Sequence, residues 1–179
     1  MDWVNDINRK LNNKVLFSKD HYVLKELNKL ISKNNHRIMV LWAFDFVDET
    51  IQKIKKNYPN EVRPQIALDL SKDWAMGLVK MPIAKKAILN VHSFAKEITS
   101  EEDVALCHAI GQGCGVVHGK GHAIGFAIYD LTAIIRHYGI NDCKMLVEER
   151  IKQYIDRIYY WNKHYLQNDN KWTKFMYKD

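Results

Sequence analysis

The sequence has few of the residues that cross-link chains or interrupt helices. Only three of its 179 residues are cysteine and only three are proline. An odd number of cysteines at scattered spacings argues against a disulfide framework. It has no run of eighteen apolar residues and no apolar leader segment, so we expect no membrane association and a cytoplasmic location. With 47% apolar composition, a chain of this length is expected to form one domain over residues 1–179.

Alternation of apolar and polar residues, the signature of a half-buried strand, is also scarce, whereas helical spacing is frequent. Val40, Phe44, Val47, Ile51 and Ile54 recur at intervals of four and three, which places them on one helix face. The pattern predicts an all-α, single-domain bundle of seven or eight helices. The C-terminal helix is expected at about 142–167, and the residues beyond Gln167 lack periodicity, which predicts a loose end.

A further helix is expected to open at Arg63-Pro64, because proline suits the first turn of a helix. Ile66, Leu70, Trp74 and Leu78 follow at intervals of four. This spacing predicts that these four side chains point inward.

Glycine is rare except in one stretch, since six of the eight glycines fall between Gly111 and Gly125. The segment predicts a central αα-hairpin, with one helix capped at residues 99–103 and ending at His118, and the next running from His122 to Tyr138. The turn at residues 119–121 is expected to use the positive φ that glycine tolerates. Each glycine inside a helix costs about 1 kcal/mol relative to alanine. Either close helix contact or backbone room for a ligand can offset that cost.

Asp45 stands inside the apolar run 41–47, where a buried carboxylate needs a partner, and a histidine or Arg63 is the expected one. An acid–base pair of Asp45 with a nearby histidine is conceivable, but no nucleophile spacing or phosphate loop accompanies it. Structural hydrogen bonding, or exposure of the His122–Tyr129 face to solvent, is the simpler interpretation. The candidate polar or ligand site comprises Asp45, Arg63, His92, His118, His122 and Tyr129.

The metal signal is weak. Cys114 and His118 stand four residues apart, and His122 lies across the glycine turn. These three side chains give at most three ligands, and the sequence shows no fourth. We therefore expect no bound metal and no cofactor.

The formal charge of +6 is spread along the chain rather than gathered in one stripe. The one stretch that interleaves aromatic and basic residues, 158–175, is equally typical of a helix interface. Nucleic-acid binding is therefore disfavoured, and an acidic protein surface suits this charge better. Self-association stays open.

Several short segments together resemble the Imm-5-like domain of bacterial immunity proteins, over about residues 37–138. The most specific of them is the spacing of His118, His122, Gly125 and Tyr129. The segments are Leu41-Trp42-Ala43-Phe44-Asp45, Arg63-Pro64, Trp74-Ala75-Met76-Gly77, Val91-His92 and 118–125 followed by Tyr129.

The resemblance implies a protein that neutralises, by binding, a toxin made by the same or a neighbouring bacterium. It implies no enzymatic activity. Two hypotheses follow: an all-α binding module, or a histidine-centred small-molecule or metal-binding protein or enzyme.

Overall fold

The computed structural model describes residues 3–178, which form eight α-helices and no strand. The all-α prediction is confirmed. The helices are α1 (Trp3–Asn8), α2 (Lys25–Lys33), α3 (His36–Asn57), α4 (Arg63–Ala75), α5 (Met81–Phe94), α6 (Glu101–Gly115), α7 (His122–Tyr138) and α8 (Lys144–His164). Short 3₁₀ turns precede α2, follow α8 and lie at Lys174–Tyr177.

The α6–α7 hairpin is the centre of the bundle. These two helices contact each other more extensively than any other pair, and α6 also contacts α3, α4 and α5. Beyond its first turn, α6 is buried on almost every side. The cap of α6 was predicted correctly, because the Ser100 side chain accepts a hydrogen bond from the Asp103 amide. The start of α7 was also predicted correctly, because this helix begins at His122.

The end of α6 differs from the prediction. The helix stops at Gly115, because the amides of Val116 and His118 bond three residues back, to Gly113 and Gly115, and tighten the last turn. His118 therefore lies in the connecting turn rather than on the helix.

The glycines of that turn do not adopt positive φ, contrary to expectation. Among the described residues, positive φ occurs only at Gly77 and Gly139. Gly139 ends α7 as expected, with its amide bonded to the Ile135 carbonyl. Gly77 ends α4 in a Schellman arrangement, in which the Leu78 amide reaches the Asp73 carbonyl at 2.8 Å.

Close helix contact explains one of the central glycines. A Cβ atom at Gly113 would overlap the Val47 side chain of α3 and the Phe126 ring of α7. Beside this contact, Phe126 joins an aromatic cluster with Trp42, Phe46 and Tyr154. The missing side chain at Gly113 therefore lets three helices meet.

The predicted inward face of α4 was wrong in part. Trp74 is buried, but Ile66 is 44% exposed and Leu78 is 70% exposed. The buried face instead carries small side chains, Ala67 and Ser71 among them. The Ser71 side chain lies beside Cys114 of α6. The turn at Gly77 directs Leu78 outward.

The C-terminal end is not loose. The Thr173 amide donates to the Ala75 carbonyl at 2.9 Å, the Phe175 ring lies against Trp74, and Met176 is fully buried. Irregular and 3₁₀ backbone carries no helical periodicity, so the sequence pattern could not indicate this docking.

A buried ion pair joins α7 to α8. The Asp130 carboxylate accepts from Arg150 Nε at 2.7 Å and from the Tyr154 hydroxyl at 2.5 Å.

Within residues 3–178, no helix combines the length and the apolarity needed to cross a bilayer.

Candidate functional site: a histidine cavity

Three of the predicted site residues, His92, His118 and His122, line one cavity of about 260 Å³. They come from three places: His92 from α5, His118 from the turn after α6, and His122 from the first turn of α7. We call this space the histidine cavity. Its other lining residues are Trp74, Met81, Lys85, Ile88, Leu89, Gly111, Gln112 and Gly115.

Glycines of α6 make room for the polar side chains of the cavity. A Cβ atom at Gly111 would lie 2.5 Å from the His92 ring, and one at Gly115 would lie 3.2 Å from the His122 ring. On α7, a Cβ atom at Gly125 would overlap the Gln112 amide. Gly113 therefore serves close helix contact, whereas Gly111, Gly115 and Gly125 make room for side chains of the protein itself. Backbone room for a ligand stays a prediction.

Hydrogen bonds fix the orientation of the rings. His122 Nδ1 lies 2.9 Å from Gln112 Oε1, so the ring donates and the amide oxygen accepts. His92 Nδ1 lies 2.8 Å from His108 Nδ1. One of these two nitrogens must carry the proton and the other must be a bare acceptor, so the pair needs at least one neutral ring.

Burial favours the neutral form of His92, His108 and His122. It lowers the pKa of His92 and of His122, and it lowers the pKa of His108 to about 4, with Lys14 also contributing for His92 and His108. At neutral pH these imidazoles therefore offer uncharged donors and acceptors.

Tyr129 lies behind the cavity, with its ring 5.1 Å from the His108 ring. Burial raises the pKa of its hydroxyl, so Tyr129 is neutral at physiological pH. His118 lies between two rings, with centroids 6.3 Å from both Trp74 and His122.

The structure places Asp45 and Arg63 elsewhere. Asp45 lines a separate cleft of about 590 Å³, where it accepts from Trp161 Nε1 at 2.7 Å and from Arg157 at 3.3 Å. Burial raises the pKa of its carboxyl group. Arg63 pairs with Glu61 and Glu97 and stacks over Phe94. The expected partner of Asp45, a histidine or Arg63, was therefore wrong, because α8 supplies both of its donors.

Cys114 does not join the histidines. It is fully buried beside Ser71, and burial raises the pKa of its thiol to about 12, which opposes the thiolate form that a metal requires. In the part of the chain that the structure describes, no three His, Cys, Asp or Glu side chains form a group able to hold a metal ion.

Sequence reasoning missed His108 and Gln112, which contact two of the predicted histidines. A signal for them existed: His108, Gly111, Gln112 and Gly115 share one face of α6 at intervals of three and four. The α5 side of the cavity shows the same periodicity, with Met81, Lys85, Leu89 and His92 following at intervals of four, four and three.

Helix α5 exposes large apolar side chains on its outer side. Its buried side carries Ala84, Ala87, Val91 and Phe94. Met81, Ile83 and Leu89 are 40%, 50% and 52% exposed. No acidic residue occurs in this helix. Together with the exposed cations of this segment, these residues form what we call the α5 face: Leu78, Lys80, Met81, Ile83, Lys85, Lys86 and Leu89.

Comparison with known protein families identifies the family of this α-helical chain. The chain belongs to the family described as Imm-5 like putative immunity protein, which matches residues 29–157, well over half of the chain. The matched segment extends beyond the predicted one at both ends, from within α2 to within α8. No curated protein and no solved structure matches the chain.

Proposed function

We propose that this protein confers immunity by binding a protein toxin, and that the α5 face is the contact surface. The observation that carries the proposal is the composition of that face. Monomeric proteins seldom expose large apolar side chains in a group, and where they do, the group commonly marks an interaction site. Family membership supports the same function, because immunity proteins protect the cell that makes them from a toxin.

The charge of the α5 face suggests the chemistry of the partner. Lys80, Lys85 and Lys86 surround the exposed apolar side chains, and α5 contributes no carboxylate. A partner surface with acidic residues around an apolar patch would complement it and would be steered toward it.

A growth assay tests the proposal. The tagged chain is used to capture its partner from the source bacterium, and the captured protein is then expressed in a susceptible host with and without the chain. We expect wild-type protein to restore growth and the triple variant Lys85→Glu, Lys86→Glu, Leu89→Ser to fail, because it reverses the charge and removes an apolar anchor.

A matched control carries two charge reversals on an exposed surface of α8, Lys152→Glu and Lys163→Glu, and should protect as well as wild type. Circular dichroism and thermal unfolding establish that each variant is folded. If a folded α5 variant protects fully, the face is wrong. If no captured protein is toxic, the immunity function itself is wrong.

The histidine cavity favours a second candidate function, the binding of a small molecule. Concave sites with apolar walls and a few convergent polar groups are the usual form of such sites. Here neutral imidazoles and an amide converge on an apolar space of about 260 Å³. This candidate shares Met81, Lys85 and Leu89 with the α5 face, but it has its own experiment, described next.

A further inference from the structure

We propose that the histidine cavity binds a small amphipathic carboxylic acid, with its carboxylate toward the histidines and Lys85 and its apolar body along α5 and Trp74. This proposal rests on the second candidate function and adds the chemical class of the ligand.

The walls of the cavity indicate an apolar body. Trp74 and Ile88 form the inner part, while Met81 and Leu89 stand toward solvent. The volume of about 260 Å³ lies just below the range of about 300 to 1,000 Å³ that is usual for ligand sites, which suits a molecule of metabolite size rather than a large cofactor.

The polar groups indicate an anion. Lys85 lines the cavity, and none of the described lining residues is an aspartate or glutamate. The polar lining is otherwise imidazole and amide, and each ring nitrogen that carries a proton can donate a hydrogen bond to a carboxylate. A cationic ligand would find no carboxylate among these residues to balance its charge.

The surroundings of the histidines add further positive charge. Lys14 and Lys96 act on His92 and His108, Lys19 acts on His122, and each of these lysines disfavours a protonated ring. A bound carboxylate would offset that repulsion and stabilise an imidazolium, so binding should take up a proton.

The titratable and charged groups around the cavity are Lys85 and His92 on α5, His108 on α6, His118 in the turn, His122 and Tyr129 on α7, and Lys14, Lys19 and Lys96 in the connecting segments.

Isothermal titration with three ligands of matched length tests the charge preference. Octanoate is the anion, octanamide the neutral control and octylammonium the cationic control. We expect octanoate to bind at least about tenfold more tightly than either control, as a charge-assisted contact in a partly buried site predicts. Its affinity should rise from pH 8 to pH 6, and titrations in buffers of different ionisation enthalpy should show proton uptake.

Variants locate the site. Lys85→Met should weaken octanoate binding about five- to tenfold and leave octanamide binding unchanged, whereas Lys152→Met on α8 should change neither. Gly111→Ala, whose new methyl group would displace the His92 ring, should weaken both ligands, and circular dichroism reports whether this variant is folded.

The possible results of these titrations distinguish failure of the carboxylate proposal from failure of small-molecule binding or of toxin binding. Equal binding of all three ligands overturns the carboxylate preference but leaves small-molecule binding in place. Failure of octanoate to bind folded wild-type protein overturns the proposal, as does octanoate binding that Lys85→Met leaves unchanged. None of these results affects toxin binding, which the growth assay measures separately.

Discussion

At the scale of single residues, the contact between His92 and His108 depends on the protonation state. Their Nδ1 atoms are 2.8 Å apart, so the contact is a hydrogen bond only while at least one ring is neutral. Protonation of both rings would place two cations against each other in a partly buried position, where their repulsion is weakly screened.

The first prediction concerns stability at low pH. Burial lowers the pKa of His108 to about 4 in the folded protein, from its ordinary value of 6.5. As pH falls below 6.5, the unfolded chain binds the proton first, so the contribution of this ring to stability is present above pH 6.5 and is lost by about pH 4. After allowance for partial exposure, we expect that contribution to be about 1 to 2 kcal/mol. Urea unfolding at a series of pH values measures it.

His108→Asn is the matched variant, since the amide keeps a hydrogen-bonding group near the Nδ1 position but does not titrate. Its free energy of unfolding should fall less steeply between pH 6.5 and pH 4. Identical slopes for the two proteins would show that His108 is not held neutral by the fold.

At the scale of elements, the ends of the central helices could be predicted because local signals set them. Ser100 caps α6, α7 begins after the glycine turn, and Gly139 ends α7 with φ of 80°. The inward face of α4 could not be predicted in the same way. Its buried face includes small residues such as Ala67 and Ser71, and Ser71 lies beside Cys114 of α6. Periodicity of large apolar residues does not report such contacts.

The second prediction compares two glycines of the α6–α7 segment. Gly113→Ala should lower the free energy of unfolding by about 2 to 3 kcal/mol, because the added methyl group would overlap Val47 and Phe126. Gly119→Ala should leave stability unchanged or raise it by up to about 1 kcal/mol, because no atom lies within 4 Å of its Cβ position and its φ is not positive. Chemical denaturation of both variants tests the pair.

This pair of variants tests only the packing around the central hairpin. If Gly113→Ala is as stable as Gly119→Ala, α3, α6 and α7 do not meet as closely as described.

At the scale of the whole molecule, the sequence indicated the all-α class and three of the residues that line the histidine cavity. The missing parts depend on contacts between distant segments. Asp45 bonds to Trp161, 116 residues away, and Thr173 bonds to Ala75. Neither contact leaves a local pattern, so the sequence suggested a histidine or Arg63 for Asp45 and a loose C-terminal end.

The two proposed sites, the α5 face and the histidine cavity, share helix α5. Helix α5 buries Ala84, Ala87, Val91 and Phe94 and presents Lys85 and Leu89 outward. It directs His92 toward Gly111 of α6. A toxin that covers the α5 face would also cover residues that line the cavity. The surface of α8 has no part in either proposal.

Hydrogen exchange of the protein, alone and in complex with its captured toxin, tests the central claim most directly. We expect slower amide exchange on binding in a segment from about Leu78 to His92, with the exposed surface of α8 unchanged. Protection concentrated on α8, with α5 exchanging as in the free protein, would contradict the account.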